Sequence, residues 1–404
     1  MRVLAVNAGS SSLKAALYRD AGAGDIELSA AVERIGEPDA ALRLVGSDGE
    51  TLLERSGGLG THGAAMIVLL DWLAERPELA PEAVGHRVVH GGRRYSEPVV
   101  VAPEVLAHLD ELTSLDPDHL PRAVDVIGRT AERLPGLPQV ACFDTAFHRT
   151  MPRRARITSL PREMAHEGIV RYGFHGLSYE YIVGELRHLY PDLAAGRVVI
   201  AHLGSGASMA AVRDGRSLDT TMGFTPTGGL VMGTRSGDLD PGTIVQLLRM
   251  HGLDADQLND VLNRRAGLLG VSGRSSDMRE LLAAADSDGD AAAAVELFCY
   301  QAAKFLAAMA VALGGADAIV FTGGIGERAA VIRRRICDGV AFMGARLDAD
   351  LNAATGTVIS EAGSPIAVLV IPTDEALVVA RHTERIAVRL QASPGASPST
   401  RQGV

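Results

Sequence analysis

The sequence predicts an α/β protein, and three observations predict it. Short β-branched runs alternate with longer stretches of helical periodicity along the whole chain. The 404 residues are 47% hydrophobic and 22% charged, the balance of a folded chain large enough for two or three domains and able to bury its core without covalent staples. Two segments about half a chain apart share one layout. Residues 2–18 run from VLAV through the small polar turn NAGSSS into LKAALY, and residues 197–213 run from VVIAHL through GSGAS into MAAVR. Both read as hairpins with Gly/Ser tips, which suggests a duplicated fold whose halves each open on a β-hairpin.

The elements follow in order. After the first hairpin, HRVVH at 86–90 is β-branched and lacks the Glu of a zinc-binding HExxH helix. As a strand it places Arg87 and Val89 on one face and His86, Val88 and His90 on the other. A cation beside an apolar side chain suits a small apolar carboxylate; equally, Arg87 could be structural and pair with an internal acid. A Gly-rich loop spans 220–242. The apolar stretch 291–313 contains Glu296, Gln301 and Lys304 and repeats its apolar residues at helical spacing, so a buried helix is expected rather than a membrane span. AIVF then forms a strand, followed by a Gly-rich turn at 322–328 and an Arg-rich helix. A last helix runs over 375–390, and the Pro/Ser/Gly-rich tail 391–404 is expected to be disordered.

Formal charge is 39 − 49 = −10 and aromatic residues make up 4%, so neither a basic face nor a base-stacking platform for nucleic acid is available. A local pocket for a small anion remains open. Cys142, Cys299 and Cys337 form no CxxC and are expected as buried thiols in a reducing, cytoplasmic compartment. The N-terminus shows no secretory h-region.

Three Gly-rich turns, at 7–12, 204–208 and 323–327, can each converge backbone N–H groups on an anion. No GxxxxGK[ST] occurs, which excludes a P-loop. Gly324, Gly326 and Ala329 spell GxGxxA with Asp348 further on, a nominal dinucleotide fingerprint. It lies in the last quarter of the chain and sets Glu327 against a pyrophosphate, so it is read as coincidence.

Taken together the motifs resemble the acetate kinase family, which includes acetate and propionate kinases and, more distantly, butyrate kinases. The strings are VLAVNAGSSSLK (3–14), GHRVVHGG (85–92), CFDTAFH (142–148), RYGFHGLS (171–178), AHLGSGAS (201–208), GFTPTGGLVMGTRSGDLDPG (223–242), GLLGVSGRSSDMR (267–279), FTGGIGE (321–327) and IPTDEALVVARHT (371–383). They occur in family order and span nearly the whole chain. The resemblance implies the duplicated ribonuclease-H-like fold of sugar kinases, actin and Hsp70. It implies one lobe of 1–146 plus 377–390 and a nucleotide-binding lobe of 147–376, with the active site in the cleft between them. It also implies a homodimer with no nucleic-acid or membrane partner.

The implied reaction transfers a phosphoryl group from ATP to acetate, or to another short-chain carboxylate. Such an acid has a pKa near 4.3 and is ionised at pH 7, so no strong base is needed. The chemistry calls for cations, a hydrogen-bond donor and a metal to offset charge on the transferring group. By resemblance, Arg87 binds the carboxylate, with Val89, Phe174 and Pro226 lining the acyl pocket and His119 as a further donor. Arg235 and His175 stabilise the phosphoryl group. The family assigns Asp144 as acid/base, whereas orientation of Mg²⁺ or its water suits a nucleophile with no proton to lose. Asn7 and Glu375 would hold Mg²⁺, for which Mn²⁺ could substitute. Lys14, His202, Leu203, Gly204, Ser205, Gly206, Asp277, Met278, Arg279, Gly324, Ile325, Gly326, Glu327 and Arg328 would line the ATP site. A non-catalytic nucleotide-binding protein of the actin or Hsp70 type would keep the turns but has no need of Arg87, His175 and Arg235 together.

Three positions depart from the family pattern. Ser205 stands where HLGNGAS has Asn, and its shorter side chain would reach a phosphate through water. Asp118 replaces an apolar residue of APLHNP, and its charge beside an acyl pocket calls for a partner such as Arg87 or the Arg93–Arg94 pair. Arg328 follows GIGE where Asn is usual. Acyl preference and phosphoryl donor are the properties these changes bear on.

Overall fold

Both Gly/Ser-tipped segments are antiparallel hairpins in the computed structural model, which describes residues 1–114, 116–354 and 356–392. The first eight strands are β1 (Val3–Ala8), β2 (Leu13–Asp20), β3 (Asp25–Glu33), β4 (Ala41–Gly46), β5 (Thr51–Ser56), β6 (Ala83–Val88), β7 (Val99–Val100) and β8 (Gln139–Phe143). They form one sheet in the order β5-β4-β3-β2-β1-β6-β8-β7. The remaining five are β9 (Arg197–Leu203), β10 (Ala207–Arg213), β11 (Arg216–Thr220), β12 (Ala318–Thr322) and β13 (Ala367–Val370), in the order β11-β10-β9-β12-β13.

The duplication is one of topology. In the first sheet β3-β2-β1 are antiparallel neighbours and β1-β6-β8 are parallel. In the second, β11-β10-β9 are antiparallel and β9-β12-β13 are parallel. Strands β8 and β12 are buried along their whole length, as strands covered on both faces must be, and apart from Gln139 at the start of β8 and Thr322 at the end of β12 they are apolar.

The chain divides into two compact units. Met1–Ala146 is rejoined by the chain from Asp374, earlier than the expected 377, and Phe147–Thr373 is the other. In the first unit the helices His62–Ala74 and Leu120–Arg133 bring Met66, Leu69 and Val126 against Leu4, Leu17 and Leu42 of the sheet. The helix Glu375–Ala392 packs on β1, β6 and β8. It comes so close to β6 that a β-carbon at Gly85 would lie 2.2 Å from Thr383 Oγ1, so only glycine fits there. In the second unit the helix Gly289–Leu313 packs on β9 and β10, with Phe298, Leu306 and Leu313 buried. Among the described helices it alone has the length and apolar character to cross a bilayer, and half of that window is buried in this fold.

Two local expectations are corrected and one is refined. β6 ends at Val88, so Val89 and His90 lie beyond it and strand alternation does not assign their faces. The Gly-rich turn expected at 322–328 is a helical one, Gly323–Arg328. The last helix continues to Ala392, so 391 and 392 are helical; the rest of the tail, 393–404, lies outside the described residues.

Candidate active site

The first unit gathers its polar side chains at the carboxyl ends of parallel strands. The registers place Asn7 of β1 beside Arg87 of β6, and Arg87 beside Cys142 of β8, two residues before Asp144. This is where open parallel sheets bind ligands, because the diverging loops leave a crevice there. Arg87 Nη2 donates to Asp144 Oδ2 at 2.5 Å, Nε lies 3.2 Å from both Asp144 oxygens, and Nη1 donates to Asn7 Oδ1 at 2.9 Å. Glu375 Oε2 is 3.6 Å from Arg87 Nε. The Arg87 side chain is 15% exposed and Asp144 1%. Burial works against the guanidinium charge, but Asp144 and Glu375 outweigh it and hold Arg87 firmly protonated. Of the two readings of Arg87, the internal acid is therefore present, while part of the side chain still reaches solvent.

Further along, His119 Nδ1 is 2.8 Å from the buried Asp116 Oδ1. The sequence reading passed over Asp116; its spacing of three from His119 is the signal that could have found it. Asp118 is half-buried, and the hydrogen bonds of Arg87 go to Asn7 and Asp144. Val89 is buried just after β6. Lys14 pairs with Asn7 across the hairpin and is exposed. His86 is sealed in the sheet beside Gln139, and burial pushes its pKa down to about 4; His90 is lowered likewise to about 4.

The second unit repeats the arrangement. His202 is the next-to-last residue of β9 and lies opposite Thr322 of β12, and the two Gly-rich turns that follow these strands meet. A β-carbon at Gly204 would lie 3.8 Å from His202 Nε2 and 3.9 Å from Gly324 N. At Gly206 it would lie 3.3 Å from His175 Nε2 and 3.6 Å from Arg235 Nη1, so the glycine keeps a small space open between these groups. His175 has φ 58°, a left-handed backbone unusual for a side chain of this size, and stacks on His202 at 4.3 Å and 25°. Its Nδ1 is 2.8 Å from Ser208 Oγ, which also hydrogen-bonds Tyr179 Oη. His202 Nδ1 is 2.8 Å from Ser178 Oγ. Ser208, Tyr179 and Ser178 were not singled out by sequence. The signal available was a fully buried-reading hydroxyl inside an apolar strand or helix start, in strings already noted.

Arg235 Nη1 donates to Pro226 O at 3.3 Å. Phe174 is 1% exposed, and its carbonyl takes a 3.0 Å hydrogen bond from His148 Nε2. His148 is fully enclosed, which drives its pKa to about 4. Ser205 is exposed at the hairpin tip, as are Gly324 and Arg328; Leu203 is buried, and Ile325 is half-buried. Glu327 Oε1 accepts from Gly323 N at 2.9 Å and Thr373 N at 3.2 Å, so its carboxylate is turned into the fold. Asp277 caps the helix Met278–Ala284 and pairs with the exposed Arg279, while the Met278 side chain is buried.

Chemically, the first unit offers a screened cation with oxygen donors around it, and the second offers two imidazoles and a guanidinium around glycine backbone. The chain matches the Acetokinase family over residues 2–381. It is 48% identical to an acetate kinase of Rhodopseudomonas palustris over 95% of this chain and 98% of that one. It is 45% identical to an acetate kinase of Clavibacter michiganensis over 94% and 98%. Among solved structures, acetate kinase from Porphyromonas gingivalis superposes with a TM-score of 0.86 at 38% identity, covering 95% of this chain and 99% of that one. A propionate kinase from Francisella tularensis gives 0.89 at 36% over the same shares. The predicted duplicated fold is thus that of solved carboxylate kinases, and with a family match over nearly its whole length the chain belongs to the acetokinase family.

Proposed function

We propose that this chain is an acetate kinase, which reversibly transfers the γ-phosphoryl group of ATP to acetate and gives acetyl phosphate and ADP. The observation that carries the reading is the approach of His175 Nε2 and Arg235 Nη1 to the same Gly206. A transferring phosphoryl group spreads negative charge over three oxygens, and donors fixed beforehand at that point lower the barrier without reorganisation.

Arg87 takes the carboxylate. The Asp144 carboxylate holds the guanidinium fork in place, so the incoming acetate meets an oriented cation. This gives Asp144 a positioning task that suits a nucleophile with no proton to remove. On the phosphoryl side, we assign Ser208 Oγ as the donor to His175 Nδ1 and Tyr179 Oη as the donor to Ser208, the arrangement that leaves the imidazole proton on Nε2, the nitrogen that faces Gly206. His175 then donates to the phosphoryl oxygens.

The donor set around Arg87 fits Mg²⁺. Asn7 Oδ1 and the Glu375 carboxylate are hard oxygen ligands. Among the described residues no group of three or more His, Cys, Asp or Glu is arranged to hold a metal. Mg²⁺ suits such a sparse set, because it is commonly held by one or two protein oxygens together with substrate phosphates. Asn7 and Glu375 would hold it, and the bound ion would neutralise charge on the phosphate oxygens.

Val89, Phe174 and Pro226 are assigned to the acyl group, and Lys14 with the turns at 204–206 and 324–328 and residues 277–279 to ATP. The likeness to a propionate kinase keeps a longer acyl chain as the second reading. A hydroxamate trap with C1–C5 acids, each offered with ATP, GTP and pyrophosphate, tests both. Acetate with ATP is expected to give the highest kcat/KM, and no hydroxamate with any pair would sink the reading. A homodimer in the cytoplasm is part of the same proposal, checked by sedimentation and by cell fractionation.

A further inference from the structure

We propose that Arg333 is a positioning residue for the nucleotide turn at residues 323–327, acting with Asn352 from behind it; the inference rests on the assignment of that turn to ATP. Arg333 opens an Arg-Arg-Arg run whose other two members, Arg334 and Arg335, are exposed. Arg333 itself is 0% exposed. Its four hydrogen bonds all go to neutral oxygens. Nε donates to Asn352 Oδ1 at 2.8 Å, Nη2 to Asn352 O at 2.7 Å, and Nη1 to Gly326 O at 2.9 Å and Glu327 O at 2.8 Å.

Gly326 O and Glu327 O belong to the last turn of the helix Gly323–Arg328, where carbonyls lack intrahelical partners. One guanidinium nitrogen satisfies both. Asn352 Nδ2 in turn donates to Ala330 O at 2.9 Å, in the first turn of the following helix, Ala330–Gly339. The joint between the two helices is therefore clamped from both sides.

Burial lowers the Arg333 pKa, and among the described residues no carboxylate is paired with it. For stability alone an apolar side chain of similar volume would serve as well or better. What the guanidinium adds is a rigid fork of donors. At the other end of the same turn, Glu327 Oε1 takes the Gly323 and Thr373 N–H groups. The turn is thus pinned in front by Glu327 and behind by Arg333, which fixes Gly324 N against the Gly204 turn.

The test uses Arg333→Met, Arg333→Lys and Asn352→Ala in the full chain. Hydroxamate formation gives kcat and both KM values, calorimetry gives ADP binding, and urea unfolding reports folding. Arg333→Met is expected to raise the ATP KM and the ADP Kd by about tenfold or more, with the acetate KM within about twofold. Arg333→Lys should recover part of that loss. ATP KM and ADP Kd unchanged in a folded variant would overturn the proposal, as would equal rises in both KM values with a fall in kcat. If Arg333→Met does not fold, Asn352→Ala decides, with the same split expected at about threefold and an unshifted ATP KM counting against it. Wild-type chain that neither binds ADP nor forms hydroxamate removes the kinase reading and this inference together. Wild-type binding with unshifted variants removes only the role of Arg333.

Discussion

Arg87 Nη2 and Asp144 Oδ2 sit 2.5 Å apart at the ends of neighbouring parallel strands, with the carboxylate 1% exposed. Removing one partner of such a buried pair costs about 3–5 kcal/mol, because the other charge is left without compensation. Arg87→Ala takes three guanidinium hydrogen bonds from the buried Asp144 carboxylate, whereas Asp144→Ala leaves Arg87 with Glu375 and Asn7. Urea unfolding should therefore show the larger loss for Arg87→Ala, and the double variant should lose less than the sum of the two. Additive losses would argue against coupling.

Arg235→Ala should lower kcat on the order of 10³, with the acetate KM little changed, as expected for a cation that acts on the transferring phosphoryl group. Steady-state kinetics on protein shown to be folded by circular dichroism checks this. A fall under about tenfold would remove Arg235 from the role.

Stability should depend on acid through the enclosed histidines. His86 and His148 have folded pKa values near 4, depressed by burial, against about 6.5 in the unfolded chain. Between these values the unfolded state binds more protons, so stability is fully present above pH 6.5 and falls as pH drops toward 4. Each contributes roughly 3 kcal/mol at most. The urea midpoint measured from pH 7 to 4 should fall across that window, and His148→Gln should flatten part of the slope; a flat midpoint in the wild type would contradict the burial argument.

Turnover should stop in excess chelator and return with Mg²⁺ or Mn²⁺. Glu375→Gln and Asn7→Ala should raise the metal concentration needed for half-maximal rate. Full turnover in chelator would exclude the two residues as metal ligands.

Ser205→Asn places a longer side chain at the exposed hairpin tip. A direct contact would replace one made through water, so the ATP KM should fall several-fold, with the acetate KM unchanged. A rise in the ATP KM would show that the serine is the better fit in this chain.

Much of this was legible in the residues. Hairpins betray themselves by two β-branched runs around a small polar tip, so β1–β2 and β9–β10 could be read directly. The ordered set of motifs carried the family, with RYGFHG (171–176) and MGTRSGDLDPG (232–242) the most specific. Less legible were features set by closure rather than by local pattern. The β-branched run HRVVH continues past Val88, but pairing with β8 stops there, so strand geometry ends two residues before the run does. GGIGER reads as a loop because glycines disfavour helix, yet Glu327 and Arg333 supply the missing hydrogen bonds at its two ends and hold it helical.

The sequence by itself determined the α/β class, the duplication and the set of chemical groups, because periodicity and short motifs are local properties of the chain. Only the tertiary structure decided what those groups do to one another: that Arg87 is held by Asp144, that His175 leans on Ser208 and faces Gly206, and that a buried Arg333 grips a glycine turn. The Arg87 and His175 contacts join residues 31 to 57 positions apart and are fixed by strand register and packing, while Arg333 reaches back 7 positions to Gly326; no local pattern encodes which partners meet.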